Sequence, residues 1–205
     1  MTGAGDVEHG ASVLELADPL AEFLGSVPAG TPFRYEYGDA VKLCGHSCPM
    51  VASAWRMTER ALALLYPGER PTRGGIGITV GGSADDGAAG PRSQVFGLVT
   101  GAASETGFRG LLGRWPRQGL LRFDRSLGQR VRFSRVDTGA AVEVWYEPLP
   151  GLDSTDLRPM LQAAVCTDRH FRETWRATVE RILTARITDI VQARTVDSGP
   201  TPAVG

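Results

Sequence analysis

Cys44-Gly45-His46-Ser47-Cys48-Pro49, followed by Met50 to Tyr66 (MVASAWRMTERALALLY), decides how the rest of the chain is read. Pro49 suits the first turn of a helix, where its missing N–H is not needed. Val51, Ala54, Trp55, Thr58, Leu62 and Leu65 then recur along one helical face. Pro67-Gly68 stops the helix near Tyr66. Ahead of it, Cys44, His46 and Cys48 place three side chains that bind soft or borderline metals within five residues. Their alternate spacing predicts that all three point to one side of an extended strand end. Cys48 stands where the chain turns into the helix, and there the dipole and free N–H groups favour a thiolate.

The elements on either side follow from periodicity and turn chemistry. Val13, Leu16, Leu20 and Leu24 predict a short amphipathic helix from Ser12 to Leu24, with Pro19 as a kink. Residues 1–10 read as a polar, Gly-rich end. Gly75 to Val80 reads as a strand, Gly81 to Gly90 as a flexible loop, and Pro91 to Thr100 as a second helix. Leu120–Asp124, Arg130–Val136 and Ala140–Tyr146 alternate as strands, and Asp137-Thr138-Gly139 turns the last two into a hairpin. Pro148 to Gly151 marks the end of the sheet. Two tail helices are expected, over Asp153–Val165 and Asp168–Val191, with residues 195–205 loose. Helix, strand, helix and three strands, with helices added at both ends, give an α+β fold with a mixed or antiparallel sheet. The division expected is an N-terminal extension (1–30), a central metal-binding domain (31–148) and a C-terminal helical extension (149–205).

The 205 residues are 42% hydrophobic and 22% charged, in the range of a globular protein. A formal net charge of -1 gives no global field toward nucleic acid or an acidic membrane surface. No apolar run approaches the ~20 residues needed to span a bilayer. The first residues show no basic region followed by an apolar stretch, so a cytoplasmic location is the expectation. Three cysteines (Cys44, Cys48, Cys166) are too few and too odd in number for a disulfide framework.

The chemistry expected at the motif starts from its donors. Two thiolates and one imidazole leave a fourth tetrahedral position open on zinc, where a water or small-molecule substrate would be polarised. Asp85 and Asp86 in the loop after the first strand, and Glu105 in the Gly-rich stretch beyond Thr100, could add a ligand or a general base; their alternative role is loop solvation. Lys42, the only lysine, lies four residues before His46. Cys166 and His170 stand four apart and could complete a closed, purely structural site. Haem held by Cys or His is a further reading, with Met50 and Met57 walling the pocket. Thiol redox between Cys44 and Cys48 is another. Arg109, Arg114 and Arg117, with Trp115, form a basic cluster that could meet an anionic substrate.

The stretch Asp39-Ala-Val-Lys-Leu-Cys-Gly-His-Ser-Cys-Pro49 resembles the FmdE family, named for the E component of formylmethanofuran dehydrogenase, whose signature is a Gly-His-x-Cys-Pro core, usually with a histidine just before the glycine. His46 and Cys48 fall on that core, and Cys44 takes the position of the preceding histidine. Gln94 and Thr100-Gly101 resemble the second block, where the family commonly has a cysteine and this chain has Ala102. The resemblance runs from about residue 36 to 146, and Phe171-Arg-Glu-Thr-Trp175 resembles an extension of some bacterial members. It implies the α+β domain read above, a metal at the motif (usually zinc) and a homodimer; Lys42 and Gln94, with Asp85, Asp86 and Glu105, are the candidate cofactor- or substrate-binding residues. It does not imply formylmethanofuran chemistry.

Overall fold

The computed structural model describes residues 12–150 and 169–197. The expected helix over Asp153–Val165, Cys166 and both chain ends lie outside these residues. The described chain runs β1 (Leu14–Leu16), α1 (Pro19–Phe23), β2 (Phe33–Tyr35), α2 (Tyr37–Cys44), α3 (Pro49–Leu65), β3 (Ile76–Gly81), α4 (Ala89–Thr100), β4 (Leu121–Asp124), β5 (Val131–Arg135), β6 (Ala141–Tyr146), α5 (Arg169–Thr184), α6 (Ile187–Ile190) and β7 (Val191–Val196). The fold is α+β, as expected.

Helix α3 is the axis of the molecule. Every residue from Val51 to Glu59 is buried, so this stretch has no solvent face, the mark of a helix packed on all sides. One side lies on β5, β6 and β7, and α2, α4 and α5 pack around the rest. Ala52, Ser53, Ala54 and Ala61 keep it slim enough for these neighbours. Several buried polar side chains along it find hydrogen-bond partners, some within the helix and some across the fold. Ser53 Oγ donates to the Met50 carbonyl at 2.9 Å, and Thr58 Oγ1 to that of Ala54 at 2.9 Å. Arg56 and Glu59 pair at 2.7 Å; Arg56 also donates to the Ala185 carbonyl, and Glu59 accepts the Ser12 N–H.

The main sheet has the order β4-β3-β5-β6-β7. Only β3 and β4 are parallel, and the β5–β6 hairpin forms where it was expected. Ile76, Ile78, Val80, Val131, Phe133, Val142 and Val144 alternate onto the α3 side and join the core.

Three expectations are corrected. The helix over Ser12–Leu24 is a strand and a five-residue helix. Leu14 and Leu16 share the strand period as well as the helical one, and Asp18 caps the helix that Pro19 begins, accepting the Leu20 and Ala21 N–H groups at 3.1 and 3.2 Å. The approach to the motif is not an extended strand end. Tyr37, Ala40, Val41 and Cys44 have helical spacing and form one face of α2. The tail helix expected to Val191 breaks after Thr184, and Val191–Val196 returns as an edge strand on β6, so the sheet does not end near Pro148. β-branched Val191 and Val196 and the unpaired edge of β6 outweigh local helical periodicity there.

Candidate functional site

The turn between α2 and α3 is built by two local rules. Gly45 ends α2 in the left-handed region, with φ +74°, which glycine adopts without penalty. Cys48 follows in extended conformation as the N-cap of α3, and Pro49 opens the helix. The Cys48 sulfur lies 3.5 Å from the Val51 nitrogen and accepts its N–H, taking the place a capping oxygen usually fills. Cys48 is buried, Cys44 is half-buried and His46 is exposed.

His46 is held by its own backbone. Its Nδ1 lies 2.9 Å from the Cys44 carbonyl oxygen. A carbonyl has no proton to give, so Nδ1–H is the donor and the lone pair belongs to Nε2. Burial pushes the Cys44 thiol above its ordinary range, and the neighbouring Cys48 adds to the effect.

Tyr37, seven residues before Cys44 on the same face of α2, closes the inner side. Its hydroxyl and Ser47 Oγ are 2.8 Å apart, and its ring meets Trp55 edge-on at 6.2 Å between centroids. Burial is the main cause that raises the Tyr37 phenol to about 12, and both thiols push the same way against the Ser47 hydrogen bond. Trp55 is fully buried, and its indole N–H finds no hydrogen-bond acceptor among the described residues. From α5, Trp175 donates its indole N–H to the Ser47 carbonyl at 2.8 Å, and its ring meets that of Phe171 at 5.4 Å between centroids, tilted by 39°. The turn is therefore pinned from both sides by aromatic residues. Tyr37 was legible as the i−7 neighbour of Cys44 once a helix is drawn there. No local signal ties Trp175 to Ser47, because 128 residues separate them.

The other expected site residues lie elsewhere. Lys42 is exposed in the last turn of α2 and pairs with Asp39 at 3.1 Å. Asp85 is exposed, and a hydrogen bond from Ser83 holds its carboxyl below the usual range. Asp86 uses its backbone carbonyl to receive the Ala89 and Gly90 N–H groups at the start of α4. Gln94 is exposed on α4, and the exposed Glu105 offers its carbonyl to the Gln118 amide. Ala102 is buried, its N–H on Thr100 Oγ1 at 3.2 Å. Of the basic cluster, Arg117 is taken up by a buried ion pair with Asp18 at 2.8 Å, and Arg114 stacks over Trp115 at 4.0 Å. Among the described residues, no set of three or more His, Cys, Asp or Glu side chains stands arranged to hold a metal ion, and no helix is long and apolar enough to cross a membrane.

No protein-family model matches this chain, and no curated protein matches it. Among solved structures, the chain is similar to a tungsten formylmethanofuran dehydrogenase FmdE-like protein from Syntrophus aciditrophicus, at 17% identity over 81% of this chain and 74% of that one, with a TM-score of 0.44.

Proposed function

We propose that the Cys44–Pro49 turn binds a soft divalent metal, zinc by preference, through Cys44, His46 and Cys48, and that the site acts on a small molecule. The observation that carries this reading is the hydrogen bond from His46 Nδ1 to the Cys44 carbonyl. A backbone acceptor on one ring nitrogen is the arrangement that fixes the tautomer of a metal-ligating histidine and leaves Nε2 as the donor. Two sulfurs two residues away on either side supply the ligands zinc prefers. His46 is exposed, so a metal has access to it from solvent.

The turn's own residues would do the positioning. Tyr37 and Trp175 hold Ser47, which lies between the two cysteines in the turn. Zinc bound by two thiolates and an imidazole would supply a Lewis acid at its fourth position.

Elemental analysis and zinc titration against a chromogenic chelator test the reading. One equivalent per chain is expected, with affinity lost in Cys48→Ser and reduced in His46→Ala. Protein without metal as purified, and with no zinc affinity, would overturn it. A Soret band in the purified protein would replace zinc with haem. Unfolding on chelation would make the metal a structural staple rather than an open site.

A further inference from the structure

The face of the sheet turned away from α3 carries a second set of charged groups. Glu143 is central on β6, between the core residues Val142 and Val144, and strand alternation turns it to the outer face. It stands directly opposite Arg132 on β5 and Arg194 on β7. Arg132 donates from Nε and Nη2 to Oε1 at 3.2 and 2.7 Å, and Arg194 donates from the same two atoms to Oε2 at 3.0 and 2.7 Å. Arg130 Nε lies 3.1 Å from Oε2 without hydrogen-bond geometry, so this buried N–H has no acceptor among the described residues. Glu143 is fully buried, whereas the arginine side chains are 36%, 38% and 52% exposed.

Three guanidinium groups thus converge on one carboxylate, in a chain whose formal net charge is -1. Asp124, which accepts the Ser126 N–H at 2.8 Å, adds a second negative charge within electrostatic reach of Arg132, and the three guanidinium groups still outnumber the two carboxylates. One Glu143 cannot use all the donors of three planar forks. The outward edges of Arg130 and Arg194 line a cavity of about 500 Å³, together with Ser126, Gln129 and the ring of Trp145. Glu147 fixes that ring by accepting its N–H at 2.9 Å. The volume is that of a small-molecule pocket.

We propose that this pocket binds a phosphate-bearing small molecule, with the phosphate on Arg130 and Arg194 and the rest of the ligand against Trp145. Arginine forks match phosphate oxygens in pairs, and a phosphate dianion carries the charge that balances two guanidinium groups. Trp145 offers a flat apolar wall beside the charged end. The site draws on no residue of the Cys44–Pro49 turn and stands independently of it.

Calorimetric titration of the full chain with pyrophosphate, at fixed ionic strength, tests this. Saturable binding at one site per chain is expected, weakening as salt is raised. Arg194→Gln should lower the affinity about tenfold or more, as the loss of one charge-assisted hydrogen bond does. Cys48→Ser should leave it unchanged. If Arg194→Gln proves unfolded by circular dichroism, Arg130→Gln takes its place, since its Nε makes no hydrogen bond to Glu143. Absence of saturable binding, or binding undiminished in a folded arginine variant, would overturn the proposal.

Discussion

At the scale of single residues, the candidate site depends on two aromatic side chains that reach the same serine. Trp175 ties α5 to the backbone of the turn through the Ser47 carbonyl. Trp175→Phe keeps the ring but removes the donor. It should cost about 1 kcal/mol of stability, the net worth of a hydrogen bond, and weaken zinc binding at the turn. Chemical denaturation and chelator competition measure the two effects separately. Tyr37 makes a pH-dependent contribution. Its phenol is raised to about 12 in the fold, against 10.0 for an ordinary tyrosine, chiefly by burial. The neutral form is the one the fold favours, so the stabilisation is complete below pH 10 and lost as pH rises through about 12. Tyr66 is raised to about 12 as well and shares the window. Denaturation midpoints should therefore fall between about pH 10 and about pH 12, and the fall should be smaller in Tyr37→Phe. An identical fall in both proteins would show that Tyr37 is not responsible.

At the scale of elements, α3 and the buried polar cluster beside α4 show what small residues do. Ala54 is fully buried on a stretch of helix with no free face. Ala54→Leu has nowhere to place the added methylenes and should destabilise by about 1–3 kcal/mol, read as a shift in denaturation midpoint. Near the C-terminus of α4, Arg73 donates to the Leu98 and Val99 carbonyls and pairs with Asp18, which Arg117 also holds. Gly101, at φ +75°, covers that arginine so closely that a Cβ would sit 2.7 Å from Arg117 Nη1. The glycine at the end of Thr100-Gly101 is favoured by its left-handed backbone at the helix cap, and any side chain there would push the Arg117 tip aside.

At the scale of the whole molecule, the segment beyond residue 168 completes the structure around α3. Helix α5 packs along α3, Arg56 donates to Ala185 just past its end, and β7 pairs with β6 over its full length. A chain ending at Ile190 would lose β7 and leave β6 as a bare edge. It should unfold with lower cooperativity and associate, measured by differential scanning calorimetry and sedimentation; a monomer with an unchanged transition would refute this role for β7.

The sequence alone determined α3, the β5–β6 hairpin and the position of the Cys44–Pro49 turn. Each is set by local chemistry: proline at a first turn, apolar residues at helical or strand period, and Asp-Thr-Gly between two strands. Helix α2 was also written in the spacing of Tyr37, Ala40, Val41 and Cys44, although its mixed aromatic and charged lead-in hid it. Only the tertiary structure decided that Leu14–Leu16 is a strand, because its short run fits two periods and the Phe33–Tyr35 partner settles which. Only tertiary structure made Val191–Val196 part of the sheet, since an edge strand is defined by the strand it pairs with. The same holds for the contacts of Trp175 with Ser47 and of Arg194 with Glu143, which join residues 128 and 51 positions apart. Local propensity carries no information across such separations, and packing around one buried helix supplies it.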